Sequence, residues 1–272
     1  MGRLFRIVEQ GGTAIDAERL YVFVGGSEDT LATLFDPWDP GCGSTVRIPY
    51  YFYLVVHERG PVLIDCGAHP ALAVDPVARL GPQAEMSAVV MSATEDVSSR
   101  LGSVGLSTGQ VEHVVLTHLH YDHCGGLSAL PSATAYVQAS ERAFAAQPPV
   151  YQRPAYVELD WMNHRNWREL DGEFDLFDDG SIRIIPTPGH TPGHQSVLVR
   201  VRGRTLLVVG DAAYHPAKMR ERKLPAYLWN PDQLVASWER IEECEADLGA
   251  ELLFSHFPSP DQIPTGPEGW FS

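Results

Sequence analysis

With 272 residues and 44% hydrophobic content, the chain can bury a full core as one large α/β domain and does not need two. Its formal net charge of −15 argues against a nucleic-acid substrate, because phosphate contacts need clustered Lys and Arg, and fits a small neutral or weakly polar one. Met1–Glu9 lack the uninterrupted apolar stretch of a signal peptide and no apolar run is long enough to span a bilayer, so a cytoplasmic, membrane-free protein is expected. Cys42, Cys66, Cys124 and Cys244 have no CxxC spacing and read as free buried thiols, not a disulfide framework.

In chain order, strands are expected near 19–24, 50–57, 61–65, 113–117 and 134–138, with a helix over 94–104 covering the first sheet. A second half follows, with strands near 181–185, 195–201, 204–210 and 251–255. The clearest helix spans 231–248: Pro231 and Asp232 start it, and Leu234, Trp238 and Ile241 make an apolar stripe that faces the core. Two stretches look like insertions, 69–95 with Pro70, Pro76, Pro82, Met86, Val89, Val90 and Met91, and 146–170 with Pro148, Pro149, Pro154, Trp161, Met162 and Trp167. Together with Tyr227, Leu228 and Trp229 they either line an apolar pocket or anchor long loops to the core.

The chemistry concentrates in residues 116–123, Leu-Thr-His-Leu-His-Tyr-Asp-His, directly after an apolar strand. Neutral imidazole and carboxylate are the side chains that bind borderline divalent metals. His118 and His120, two apart on an extended stretch, point to one side and can share an ion, while Asp122 and His123 face a second position after the chain has begun to turn. Three further strands end in ligand-capable residues: His190 after Ile184–Gly189, Asp211 after Leu206–Gly210, and His256 after Glu251–Ser255. Strand ends converging on one sheet edge are how an α/β protein assembles a site from distant sequence.

This ordered set, with Val62–Gly67 carrying Asp65 at an early strand end, resembles the metallo-β-lactamase superfamily in its dinuclear form, over roughly Pro49 to His256. The resemblance implies an αββα sandwich, two mixed sheets flanked by helices, over a single domain of residues 1–272. It also implies two divalent ions, zinc first, with iron, manganese and cobalt also compatible with the donors. His118, His120 and His190 would hold one ion, Asp122, His123 and His256 the other, and Asp211 would bridge them. In the superfamily the Asp65 position orients a ligand histidine; as a residue type it serves equally as a strand-end turn former.

Within the superfamily, Thr187–Ser196 and Gly210–Tyr214 are similar to the N-acyl-homoserine lactonases. The resemblance makes Tyr214 a lactone-binding residue and Asp122 the carrier of the proton to the leaving alkoxide. The opening strand, Ile48–Val55, is similar too. A secreted β-lactamase would carry a signal peptide, and many have cysteine where this chain has Asp211, which counts against antibiotic hydrolysis. The implied activity is hydrolysis of the lactone ring of a small substrate. Alternatives are another small lactone, a thioester such as S-lactoylglutathione, or a non-hydrolytic diiron redox or sensing protein. A homodimer is one of the assemblies left open. His194 is read as structural or as supporting a ligand from behind, Cys124 as loop packing, and His57, His69, His113, His164 and His215 have no metal-site spacing.

Overall fold

A computed structural model describes residues 15–85, 87–257 and 263–272. Seven strands come first: β1 (Arg19–Leu31), β2 (Thr45–Val56), β3 (Val62–Ile64), β4 (Ala88–Val90), β5 (His113–Val115), β6 (Thr134–Gln138) and β7 (Trp167–Leu170). There follow β8 (Phe174–Asp175), β9 (Ile182–Pro186), β10 (Gln195–Val201), β11 (Arg204–Gly210), β12 (Glu251–Phe254) and β13 (Trp270–Phe271). The first sheet runs β13-β1-β2-β3-β5-β6-β7, with β4 on β1, and the second runs β12-β11-β10-β9-β8. Both are mixed. In the first, β1, β2 and β3 pair antiparallel and β3, β5, β6 and β7 parallel. In the second only β11 and β12 run parallel.

Core composition gives the layering. Val22, Tyr53, Val55 and Ile64 of the first sheet meet Ile182, Ile184, Val197 and Val208 of the second in one buried cluster. The opposite face of the first sheet, through Phe23, Leu54 and Val114, packs on Val97 and Leu101 of helix Val97–Ser103 and on Ala145 of helix Ala139–Ala146. The outer face of the second sheet, through Ile185, Leu207 and Val209, receives Leu234, Trp238 and Ile241 of helix Pro231–Leu248. Helix, sheet, sheet, helix is therefore the order of layers, as expected.

Helix Pro231–Leu248 has the expected bounds because its ends are chemically marked. The Asn230 side chain accepts from Gln233 N–H, Pro231 opens the first turn, and Gly249 closes it in the left-handed region at φ 62°. Ile241 is fully buried. Ile241→Val should therefore cost about 0.5–1.5 kcal/mol, read as a lower urea midpoint with unchanged metal content.

Several expectations needed adjusting. β3 and β5 stop short of 65 and 117 because Asp65 takes φ 58° and the Thr117 amide turns away to bond the Asp65 carboxylate. Helix 94–104 shrinks to Val97–Ser103, with Asp96 accepting from the Ser98 and Ser99 amides as its cap. β4, β7, β8 and β13 were not anticipated; each is short and has at most one buried residue, so it shows no alternation to read.

The 69–95 stretch does form an added lobe. It is stitched to β1 by β4, and Leu72, Leu80, Val89 and Met91 pack on Tyr50 and Tyr121. Met86 and Met1–Glu9 lie outside the described residues. In 146–170, Trp161 is core and the Arg142 guanidinium lies 5.3 Å from its ring and 4.1 Å from that of Trp167, so both tryptophans anchor the loop. Among the described residues no helix is long and apolar enough to cross a membrane.

Candidate metal centre

The HLHYDH run leaves β5 on a backbone fixed from several sides. The amide of Thr117 donates to Asp65 Oδ1 at 2.7 Å, and its hydroxyl donates to the same carboxylate. The Gln195 amide and side chain, from β10, donate to Thr117 O and Leu116 O at 2.9 and 2.8 Å, so the second sheet holds the loop as well. His120 then sits at the N-cap of helix Tyr121–Cys124, which turns Asp122 and His123 onto a different face from His118.

The seven expected donors come together. His118, His120 and His190 form one group, Asp122, His123 and His256 a second, and His118, His123 and Asp211 a third that joins them, with the donor atoms of each group within 4.8 Å of one another. His118 Nε2 and His190 Nε2 lie 2.9 and 3.1 Å from His120 Nδ1. Asp211 lies between the groups: Oδ2 is 3.5 Å from His190 Nε2 and 3.2 Å from His256 Nε2, and Oδ1 is 3.2 Å from His123 Nε2 and 3.1 Å from His256 Nε2. Asp122 Oδ2 is 3.3 Å from His123 Nε2 and 3.5 Å from His256 Nε2.

Hydrogen bonds behind the rings set which nitrogen faces inward. His123 Nδ1–H donates to Asp65 Oδ2 at 2.8 Å and His256 Nδ1–H to Pro49 O at 2.7 Å. Thr117 spends its only hydroxyl proton on Asp65, so His118 Nδ1–H donates to its oxygen. Each arrangement turns Nε2 toward the cluster. His194 differs: its Nε2 accepts from the Asp211 amide at 2.9 Å, so it orients Asp211 and has no lone pair left for the cluster. Gly210 allows this contact, since at φ 64° a Cβ there would lie 2.6 Å from His194 Nε2.

Electrostatics divides the imidazoles. Burial and neighbouring rings push His118 and His120 well below the usual histidine range, and burial takes His190 down to about 4 and His194 to about 3. Burial opposes charge on His123 and His256 too, but Asp211 and Asp122 outweigh it, raising His123 well above its ordinary value and His256 to about 8. Burial also opposes charge on Asp211, yet the His256 and His123 rings hold it well below the carboxylate range.

These features fit divalent metal. Nitrogen ligands about 2.0–2.1 Å from one tetrahedral ion stand about 3.3 Å apart, close to the spacing of the His118, His120 and His190 donor atoms. The buried atoms His123 Nε2 and Asp211 Oδ1 make no hydrogen bond, although they point into the same space. Buried polar groups are rarely left so without a missing partner.

Tyr214 places its hydroxyl 3.2 Å from His190 Nδ1. Cys124 is buried with its thiol toward Leu119 O, as packing. His57 stacks on Phe177, His69 and His215 cap short helices, His113 meets Tyr136 and His164 meets Ala133 O; none joins the cluster. Of the aromatics put forward for a pocket, Tyr227 comes closest to the donors, its ring centroid 5.7 Å from His120 and 5.8 Å from His190. Sequence reasoning missed Phe35, edge-on to Tyr214 at 6.1 Å, Tyr156, edge-on to His120 at 4.6 Å, and the buried carboxylates Glu28 and Glu141. None stands in a motif. Glu141, on a short helix with exposed neighbours, reads as a surface residue.

The family model of the metallo-beta-lactamase superfamily matches residues 47–256. The N-acyl homoserine lactonase AttM of Azorhizobium caulinodans is 31% identical over 224 residues, covering 80% of this chain and 85% of the relative. AttM of Agrobacterium fabrum is 32% identical with the same coverage, 80% and 85%. The solved structure of an N-acyl homoserine lactone hydrolase, with the product N-hexanoyl-L-homoserine at its catalytic metal centre, superposes with a TM-score of 0.83. That match covers 94% of this chain and 100% of the other at 22% identity, a likeness of fold. The chain belongs to the metallo-beta-lactamase superfamily, in the company of the N-acyl homoserine lactonases.

Proposed function

We propose that this protein is a metal-dependent hydrolase that opens the lactone ring of N-acyl homoserine lactones. The observation that carries the reading is the Tyr214 hydroxyl. His190 turns Nε2 to the donor cluster, so its Nδ1 carries the proton and donates to the Tyr214 oxygen. The phenolic proton is left free for a substrate oxygen, and burial, with Asp211 adding, holds the phenol well above its ordinary pKa and therefore protonated. A group that donates without losing its proton is suited to a developing oxyanion.

His118, His120 and His190 would hold one ion, Asp122, His123 and His256 the other, and Asp211 both. Ions so held supply acidified water and a polarised carbonyl. Zinc suits the imidazole and carboxylate donors, with iron, manganese and cobalt also compatible. In the reaction, water adds to the ring carbonyl carbon, the ring C–O bond breaks, and the released oxygen takes a proton to give the hydroxy acid. The greater exposure of the Asp122 side chain, 13% against 4% for Asp211 and 0% for Asp65, supports Asp122 as the carrier of that proton. Tyr227 and Phe35 border the site and would flank the substrate. The free thiols of Cys42, Cys66, Cys124 and Cys244 support a reducing, cytoplasmic setting.

The test is a panel of homoserine lactones, other lactones and S-lactoylglutathione, with metal content measured on the same sample. Turnover of homoserine lactones is expected; turnover of the thioester alone would overturn the proposal. Tyr214→Phe should keep its metal and lose about 10- to 100-fold in turnover, less than a sole oxyanion donor would cost because the ions share the charge.

A further inference from the structure

Glu28 and Glu141 are buried carboxylates, 7% and 0% exposed, and among the described residues neither pairs with a lysine or arginine. A buried carboxylate survives on hydrogen bonds, and its donors show what it ties together.

The donors to Glu141 flank one group of ligands. Its Oε1 accepts from the Leu119 amide at 3.0 Å, between His118 and His120, and from the Tyr156 hydroxyl at 3.0 Å. The Tyr156 ring in turn stands edge-on to His120. Its Oε2 accepts from the Thr191 hydroxyl at 2.6 Å, next to His190, and from the Gly193 amide at 3.3 Å. Gly193 is required for this approach, because a Cβ there would lie 2.2 Å from Glu141 N. His118, His120 and His190 make up the first group.

The donors to Glu28 flank the other group. Its Oε2 accepts from the Tyr121 hydroxyl at 2.9 Å, next to Asp122, and from the Tyr50 hydroxyl at 2.8 Å. Tyr50 follows Pro49, whose carbonyl holds His256 Nδ1, and its ring stands edge-on to His256 at 5.9 Å. Asp122 and His256 belong to the second group with His123, which Asp65 holds separately.

We propose that Glu141 and Glu28 are positioning residues, each bracketing one half of the metal centre, so that the affinities of the two ions are set separately. The idea rests on the two-ion reading above. The two carboxylates share no donor, and although Leu119 and Tyr121 both flank His120, their remaining donors, Tyr156, Thr191 and Gly193 for Glu141 and Tyr50 for Glu28, lie on separate segments, so loosening one should leave most of the other's contacts in place.

The test counts zinc by elemental analysis after dialysis against graded dipicolinate, with circular dichroism of the metal-free protein as a control on folding. His190→Ala, which weakens the first group, and His256→Ala, which weakens the second, serve as backgrounds. In His190→Ala, Glu28→Ala should release the remaining zinc at about tenfold lower chelator, at the low end of losses of such outer partners, and Glu141→Ala should not. In His256→Ala the pattern should reverse. Glu28→Gln, which keeps an acceptor oxygen for the tyrosines, should restore most of the affinity. If either alanine variant fails to fold, Tyr121→Phe and Thr191→Val remove single hydrogen bonds and should show the same asymmetry on a smaller scale. Equal loss in both backgrounds, or loss in neither, would overturn the brackets alone. A wild type that holds one zinc would overturn the two-ion reading and the brackets with it.

Discussion

Asp211→Ala is expected to abolish lactone hydrolysis, by at least about 10³-fold, the scale of losing a preorganised electrostatic group outright. Asp211 is the residue whose carboxylate reaches both ligand groups, with Oδ2 near His190 and His256 and Oδ1 near His123 and His256. It is also the main negative charge acting on His123 and His256. Without it only Asp122, with Asp65 for His123, is left to offset charge on those rings, so ion affinity as well as turnover should fall. Elemental analysis should find fewer than two ions per chain. A variant that kept two ions and full activity would remove Asp211 from the site. Asp211→Asn would separate charge from shape, keeping a donor oxygen but losing the negative charge.

The second large effect is on stability. Asp65 is fully buried and receives the Thr117 amide, the Thr117 hydroxyl and His123 Nδ1–H. Asp65→Ala leaves those donors buried and unanswered, and its backbone at φ 58° favours Asp or Asn over Ala. The expected cost is about 3–5 kcal/mol, the range for breaking a buried charged pair from one side, read as a lower urea midpoint of the metal-free protein. Asp65→Asn should cost less, because it keeps an acceptor and tolerates the backbone. It should still weaken zinc by about 10- to 100-fold, since His123 loses the carboxylate that fixes its tautomer. An Asp65→Ala protein as stable as wild type would make Asp65 a mere turn former.

Much of the site was legible because its residues stand in sequence contexts with few other uses. Four ligand-capable side chains in six positions after an apolar strand have little structural reason to exist, and His190, Asp211 and His256 each end a strand in the same manner. The layering could be read because β10 and β11 are near-continuous apolar runs and helix Pro231–Leu248 carries an apolar stripe and marked ends. What stayed hidden depends on contacts between segments far apart in sequence. Glu28 lies on a part of β1 whose Ser-Glu-Asp-Thr run looks like a turn, and it becomes a strand only through pairing with Thr45–Pro49 and with β4. Tyr50 and Tyr121 read as core tyrosines until their hydroxyls are seen to share one carboxylate oxygen. Helix Ala139–Ala146 escaped notice because its N-cap, Gln138, makes no side-chain bond to it and half its residues are alanine.

The division of the ligands between the sheets bears on how the protein assembles. His118, His120, Asp122 and His123 follow β5 of the first sheet, whereas His190, Asp211 and His256 follow β9, β11 and β12 of the second. Neither sheet alone presents a complete group, so an ion bound here acts as a cross-link between two halves that must already have docked. Ion binding therefore draws on the free energy of docking, and zinc in excess should deepen the native well by mass action. In chain order β1–β7 precede the strands that bring His190, Asp211 and His256, so the centre can be complete only once the segment ending at His256 has been made.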